Sequence, residues 1–121
     1  MIDHVGFEVL DLPRSARFYD AVFFALGGRR MFERAGIVGW GVNDATFYVT
    51  DRAQPAPGYG HVALRASGRS AVEAAHGAGL AAGGRDDGPP GDRPHYGRGY
   101  FAAYMRDPDG LRVEIVSRPR R

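Results

Sequence analysis

A chain of 121 residues suits one domain, and a make-up of 44% hydrophobic, 12% aromatic and 25% charged residues is globular, which excludes a fully disordered chain. No apolar stretch is long enough to cross a bilayer, and the opening MIDHVGFEV lacks the basic and apolar regions of a signal peptide, so a cytoplasmic protein is expected. Cysteine is absent, excluding disulfides and thiol nucleophiles, and the net charge of +2 comes from sixteen arginines scattered among fourteen acids, without the basic stripe a nucleic-acid partner needs.

In chain order, DHVGFEVL at residues 3–10 alternates as a strand does. A helix is expected from near Pro13, with Phe18, Val22 and Leu26 on its apolar side and Gly27-Gly28 at its end. Strands are expected over 29–34, 36–42 and 45–50, and again at GHVALRA, residues 60–66. A second helix has Ser70 and Glu73 at capping-box spacing, an apolar side of Val72, Ala75 and Leu80, and Gly83-Gly84 at its end. Residues 86–99, DDGPPGDRPHYGRG, read as a Gly/Pro-rich loop. Strands over 100–106 and 111–117 flank Asp107-Pro108-Asp109-Gly110, a tetrad with strong turn chemistry.

The chain also resembles itself. His-Val opens both early strands, with His4 and His61 57 residues apart; Arg-Ser-Ala recurs at 14–16 and 69–71, and Gly-Gly-Arg at 27–29 and 83–85. Each half therefore reads β-α-β-β-β. Side chains alternate across a strand, so Val5, Phe7 and Val9 oppose His4, Gly6 and Glu8; Val62, Leu64 and Ala66 oppose His61, Ala63 and Arg65; Leu111, Val113 and Ile115 oppose Arg112 and Glu114. Phe47 and Val49 likewise oppose Thr46, Tyr48 and Thr50. One face of each sheet is apolar, for a helix; the other carries His, Glu, Tyr and Arg. Two histidines at matched repeat positions and a carboxylate pointing the same way can hold Fe(II) facially, and the same donors suit Zn, Mn, Ni or Co. Glu8 and Arg65, matched across the repeat, are expected to pair; His76 is expected to be solvated and Trp40 to be a strand aromatic at a sheet or subunit contact.

DHVGFEVLDLPRSARFYDAVFFALG, GYGHVAL and YFAAYMRDPDGLRVEIV, in this order and spacing, resemble the vicinal oxygen chelate superfamily, which includes glyoxalase I, fosfomycin-resistance and bleomycin-resistance proteins and extradiol dioxygenases. The resemblance implies an α+β fold, two βαβββ modules forming a curved, mostly antiparallel sheet around a central cleft. It covers a single domain over 1–118, module one at 1–55 and module two at 58–118. It implies one divalent metal per site (Fe, Mn, Zn or Ni) on His4, His61 and Glu114, a small oxygenated substrate, a dioxygenase-like or lyase/isomerase-like reaction, and a homodimer. Tyr48 stands where glyoxalase I carries a fourth ligand, a Glu, which argues against glyoxalase activity. The chain has no lysine and ends seven residues after Glu114, which argues against fosfomycin transfer. Tyr104, His95 and Tyr48 are the residues expected to contact or protonate substrate. The alternative is a non-catalytic protein that sequesters a drug-like compound, as bleomycin-resistance proteins do.

Overall fold

Asp11 starts the first helix: its side chain accepts the Arg14 backbone N–H at 3.1 Å, and Pro13 sits in the first turn, where no backbone donor is needed. The structure, a computed structural model, describes residues 2–53 and 60–119. The boundary between modules and the basic end at Arg120 and Arg121 lie outside the described residues.

The elements run β1 (Val5–Glu8), α1 (Leu12–Ala25), β2 (Arg29–Arg34), β3 (Ile37–Gly41), β4 (Ala45–Thr50), β5 (Val62–Arg65), α2 (Arg69–Ala81), β6 (Arg85–Asp92), β7 (Phe101–Arg106) and β8 (Arg112–Ser117), with a 3-10 turn at Pro94–Tyr96. They form two four-stranded sheets of matching order, β1-β4-β3-β2 and β5-β8-β7-β6. Each sheet is mixed. β1 runs parallel to β4, with Val5 beside Phe47; β5 runs parallel to β8, with Val62 beside Val113; the remaining pairs are antiparallel.

The alternation read from the sequence decides what each face meets. Val38, Trp40, Phe47 and Val49 turn inward against α1, and Ala103, Met105, Val113 and Ile115 against α2. The helices also pack on each other, so one apolar core runs through both modules. Their approach is close: a Cβ on Gly79 of α2 would lie 2.5 Å from Met105 Sδ and 3.2 Å from Val22 Cγ2.

A polar latch joins the modules as well. Asp107, in the β7–β8 turn, is 2% exposed, and its Oδ2 accepts the Tyr19 hydroxyl of α1 at 2.7 Å. Its Oδ1 accepts the backbone N–H groups of Asp109 and Leu111 at 2.9 and 2.8 Å. Asp109 in turn meets the Ser15 hydroxyl at 3.3 Å and Arg14 at 3.4 Å. The turn chemistry of the tetrad is legible in the sequence; its reach into the other module is not.

Several local expectations need correction. The stretch expected as a loop contains a strand, β6, held against β7 through an irregular register that shifts at Gly88 and Gly91. Proline is tolerated there because β6 is an edge strand and Pro89-Pro90 fall within the irregularity. Gly68 stands at the N-cap of α2 and offers no side-chain cap, so the Ser70–Glu73 spacing forms no capping box. His76 is 7% exposed, with Nε2 at 2.9 Å from Asp86 Oδ1, rather than solvated. The Gly88 backbone N–H first, then His76, holds the Asp86 carboxyl below its usual range. Trp40 is a strand aromatic, as expected, but lies fully buried in the core of its own chain and not at a subunit contact, and donates Nε1–H to Asp20 at 2.8 Å. Glu8 accepts the Ala53 backbone N–H at 3.0 Å, and among the described residues no ion pair joins it to Arg65.

Candidate functional site

β8 places Val113 and Ile115 in the core, so Glu114 between them must project from the opposite face. That face also carries Tyr104, opposite Glu114 in the β7–β8 register, and is joined by Tyr100 just before β7 and His61 just before β5. Glu114 is 2% exposed, and both of its oxygens are engaged. Oε1 lies 3.0 Å from His61 Nε2, and Oε2 accepts the Tyr100 hydroxyl. Burial, then the Glu114 carboxylate, pushes the Tyr100 phenol above its usual range; the same two causes raise Tyr104. Both remain protonated, and therefore donors, at neutral pH.

His4 and Tyr48 lie together on the other sheet. The His4 ring meets Tyr48 edge-on with centroids 5.5 Å apart, and its Nδ1 is 2.8 Å from Asp3 Oδ1. Tyr48 lies over β3 because Gly39 is its cross-strand neighbour. A Cβ at Gly39 would come 2.6 Å from Tyr48 Cε1. Gly39→Ala is therefore expected to lift the ring and cost about 1–3 kcal/mol by overpacking, read as a lowered melting temperature.

The two sheets share no strand pairing. His61 and Glu114 are in contact on one; His4 stands with Tyr48 and Asp3 on the other. Among the described residues no three His, Asp or Glu side chains gather to hold a metal ion. The His95 ring, in the exposed 3-10 turn, lies tilted against Tyr96 with centroids 4.1 Å apart, and Tyr96 meets Tyr100 at 5.4 Å, so rings connect His95 to the Glu114 partner.

Tyr100 is a site residue that the sequence reading misses, although its alternation with Ala102 and Tyr104 puts it on this face. Alternation also sets Arg112 there but gives it no role. Its guanidinium lies 4.0 Å from the Tyr104 ring centre, with Nε 2.9 Å from Asp87 Oδ2. A separate groove of about 420 Å³ between α1 and β2–β3 is lined by Leu12, Ala16, Asp20, Arg30 and Val38 among others, and contains none of the candidate site residues. Arg30 is spent there on Asp20, at 2.7 Å.

The donor set at Glu114 fits a divalent cation in part. Two ligand atoms each about 2.1 Å from one ion and at right angles stand about 3 Å apart. His61 Nε2 and Glu114 Oε1 have that separation, 3.0 Å.

The family model for the glyoxalase/bleomycin resistance protein/dioxygenase superfamily matches residues 1–115. A glyoxalase/bleomycin resistance protein from Albidiferax ferrireducens T118 is 31% identical, with a TM-score of 0.84 over 97% of this chain and 98% of that one. A glyoxalase-related enzyme from Fulvimarina pelagi is 25% identical, with a TM-score of 0.76 over 96% of this chain and 86% of that one. A fosfomycin resistance protein from Mesorhizobium loti, 19% identical with a TM-score of 0.74 over 98% and 92% of the two chains, shares the fold. No curated protein sequence matches the chain. The match over nearly the whole length, with the paired βαβββ order of its sheets, makes this chain a member of the glyoxalase/bleomycin resistance protein/dioxygenase superfamily.

Proposed function

We propose that the chain is a divalent-metal-dependent enzyme acting on a small oxygenated substrate, with its site assembled between two copies. The observation that carries this reading is the His61–Glu114 pair, 3.0 Å apart with the carboxylate buried. His61 Nε2 and Glu114 Oε1 would hold the ion, and His4 of a second copy would complete a two-histidine, one-carboxylate set with open positions for substrate. A divalent ion bound there would polarise two substrate oxygens.

The chain's own residues do the rest. Tyr100 donates to Glu114 Oε2, which fixes the carboxylate and would keep Oε1 free to serve as a ligand, as outer-shell partners of metal ligands do. In such a shared site Tyr104, beside Glu114, and Tyr48, beside His4, would each offer a phenol to donate to a substrate oxygen. His95 reaches the site only through the Tyr96 and Tyr100 rings, which suits a role at the rim.

Two copies are supported by the edges of the sheets. Among the described residues β1 and β5 each end their sheet with an unpaired row of backbone donors and acceptors, and Ile2 and Leu10, 80% and 64% exposed, flank β1. Pairing β1 of one copy beside β5 of another would bring His4 toward His61.

Metal content per chain, measured by mass spectrometry on untagged protein after reconstitution with Fe, Mn, Zn and Ni in turn, tests the proposal. One equivalent of at least one metal, removable by chelator, is expected; no retention of any of the four overturns it. The engagement of both Glu114 oxygens inside the protein favours a second reading, metal-free sequestration of a small molecule. Under that reading the chelator-stripped protein keeps its full affinity for the ligand.

A further inference from the structure

We infer that the substrate of this site carries an oxyanion, a carboxylate or phosphoryl group, gripped by Arg112 with help from Arg93. The inference rests on the reading that the sheet face around Glu114 is the active site. The observation behind it is a cluster of three arginines beside one ring, faced by the carboxylates of Asp87 and Glu114. Arg112 and Arg93 lie 4.0 and 5.8 Å from the centre of Tyr104. Arg106, the cross-strand neighbour of Arg112, completes the group.

One carboxylate serves two of these three guanidiniums. Asp87 Oδ2 is 2.9 Å from Arg112 Nε and 3.1 Å from Arg106 Nε. Arg106 spends a further donor on the Gly110 carbonyl at 3.2 Å, and Arg93 donates to the carbonyls of Pro89 and Asp92 at 2.8 and 3.5 Å. The two terminal nitrogens of Arg112 have no protein partner among the described residues. A half-buried cation stacked on an aromatic face, oriented through Nε and presenting its remaining fork, is arranged for bidentate capture of an oxyanion.

Position agrees with charge. Arg112 and Glu114 share one face of β8, two residues apart, hence about 7 Å along the strand. A small acid could then place its reacting oxygens at Glu114 and its anionic group at Arg112. Tyr104 between them offers an aromatic wall.

The test is calorimetric titration of the full chain, chelator-treated and metal-loaded, with benzoate, phenylphosphonate and the neutral isostere benzamide. The anions are expected to bind at least about tenfold more tightly than benzamide, with affinity falling as salt rises. Arg112→Met should remove most of that preference at an unchanged melting temperature. Arg112→Lys should restore part of it, and Asp87→Asn should tighten anion binding severalfold. Stronger binding of phenylphosphonate would point to a phosphoryl group, of benzoate to a carboxylate. Equal binding of anions and benzamide, no saturable binding of any of the three, or an unchanged preference in Arg112→Met would overturn the inference. Metal stoichiometry is read on the same samples. Loss of anion preference in a protein that binds metal overturns this inference alone, whereas anion selectivity in a protein that retains no metal overturns the metal reading alone.

Discussion

Asp107→Ala is expected to cost about 3–5 kcal/mol of folding stability and to lower the melting temperature by roughly 10–20 °C. The reason is the number of groups left without a partner. The Tyr19 hydroxyl, in a residue with no exposed surface, and the backbone N–H groups of Asp109 and Leu111 all donate to this one side chain. Tyr19→Phe, which removes one of the three donors, should cost about 1–2 kcal/mol.

Charge and geometry separate in a third variant. Burial raises the Asp107 carboxyl above its usual range despite the donors around it. The folded state therefore favours the protonated form. The stability gained from this group is fully present below the unfolded carboxylate value and is lost as pH rises through the raised one. Asp107→Asn keeps an acceptor for both backbone donors and supplies a neutral donor toward Tyr19. It should fall within about 2 kcal/mol of the parent and remove that dependence. Thermal melts of the three variants across the acidic range check the order. An Asp107→Ala protein melting within a few degrees of the parent would show that the latch carries little.

The second large effect tests the proposed sharing of the site between two copies. Glu114→Ala and His4→Ala, each alone, should lose more than about 100-fold in metal affinity. Unfolded together in equal amounts and refolded, they should recover about a quarter of the parental metal content. Half of the pairs formed at random are mixed, and each mixed pair rebuilds one intact site of its two. Were the three ligands drawn from one chain, mixing would recover nothing. Metal per chain before and after mixing, with the dimer fraction from sedimentation, decides between the two arrangements.

Much of the fold is legible in the sequence because the code is local. Alternation at 45–50 and 111–117 and glycine at the helix ends set faces and boundaries to within a residue or two. The internal repeat then foretells two sheets of equal order. The repeat calls for a strand after the second helix, but Arg85–Asp92 has no strand-forming residues to mark where it lies; its pairing is imposed by β7. His76 escapes because its partner is ten residues away on a strand that the sequence does not announce. At the candidate site, face and repeat position bring out His61 and Glu114. Tyr100 closing on Glu114, and Arg112 over Tyr104, are tertiary contacts with no signature in spacing. The relation of His4 to the other two depends on how the sheets meet, which alternation does not encode.

The continuous core also bears on how such a chain could have arisen from a single repeat. Phe18 of α1 approaches Gly84 so closely that a Cβ there would lie 2.5 Å from its ring, and Val22 crowds Gly79 in the same way, at 3.2 Å. Each half therefore carries an apolar surface shaped for the other and no longer for a copy of itself. Side-chain volume is divided unequally between the helices, with bulk on α1 and glycine and alanine on α2. A larger residue at Gly79 would have to displace Met105 or Val22, so what one half can carry at this seam is limited by the side chains of the other.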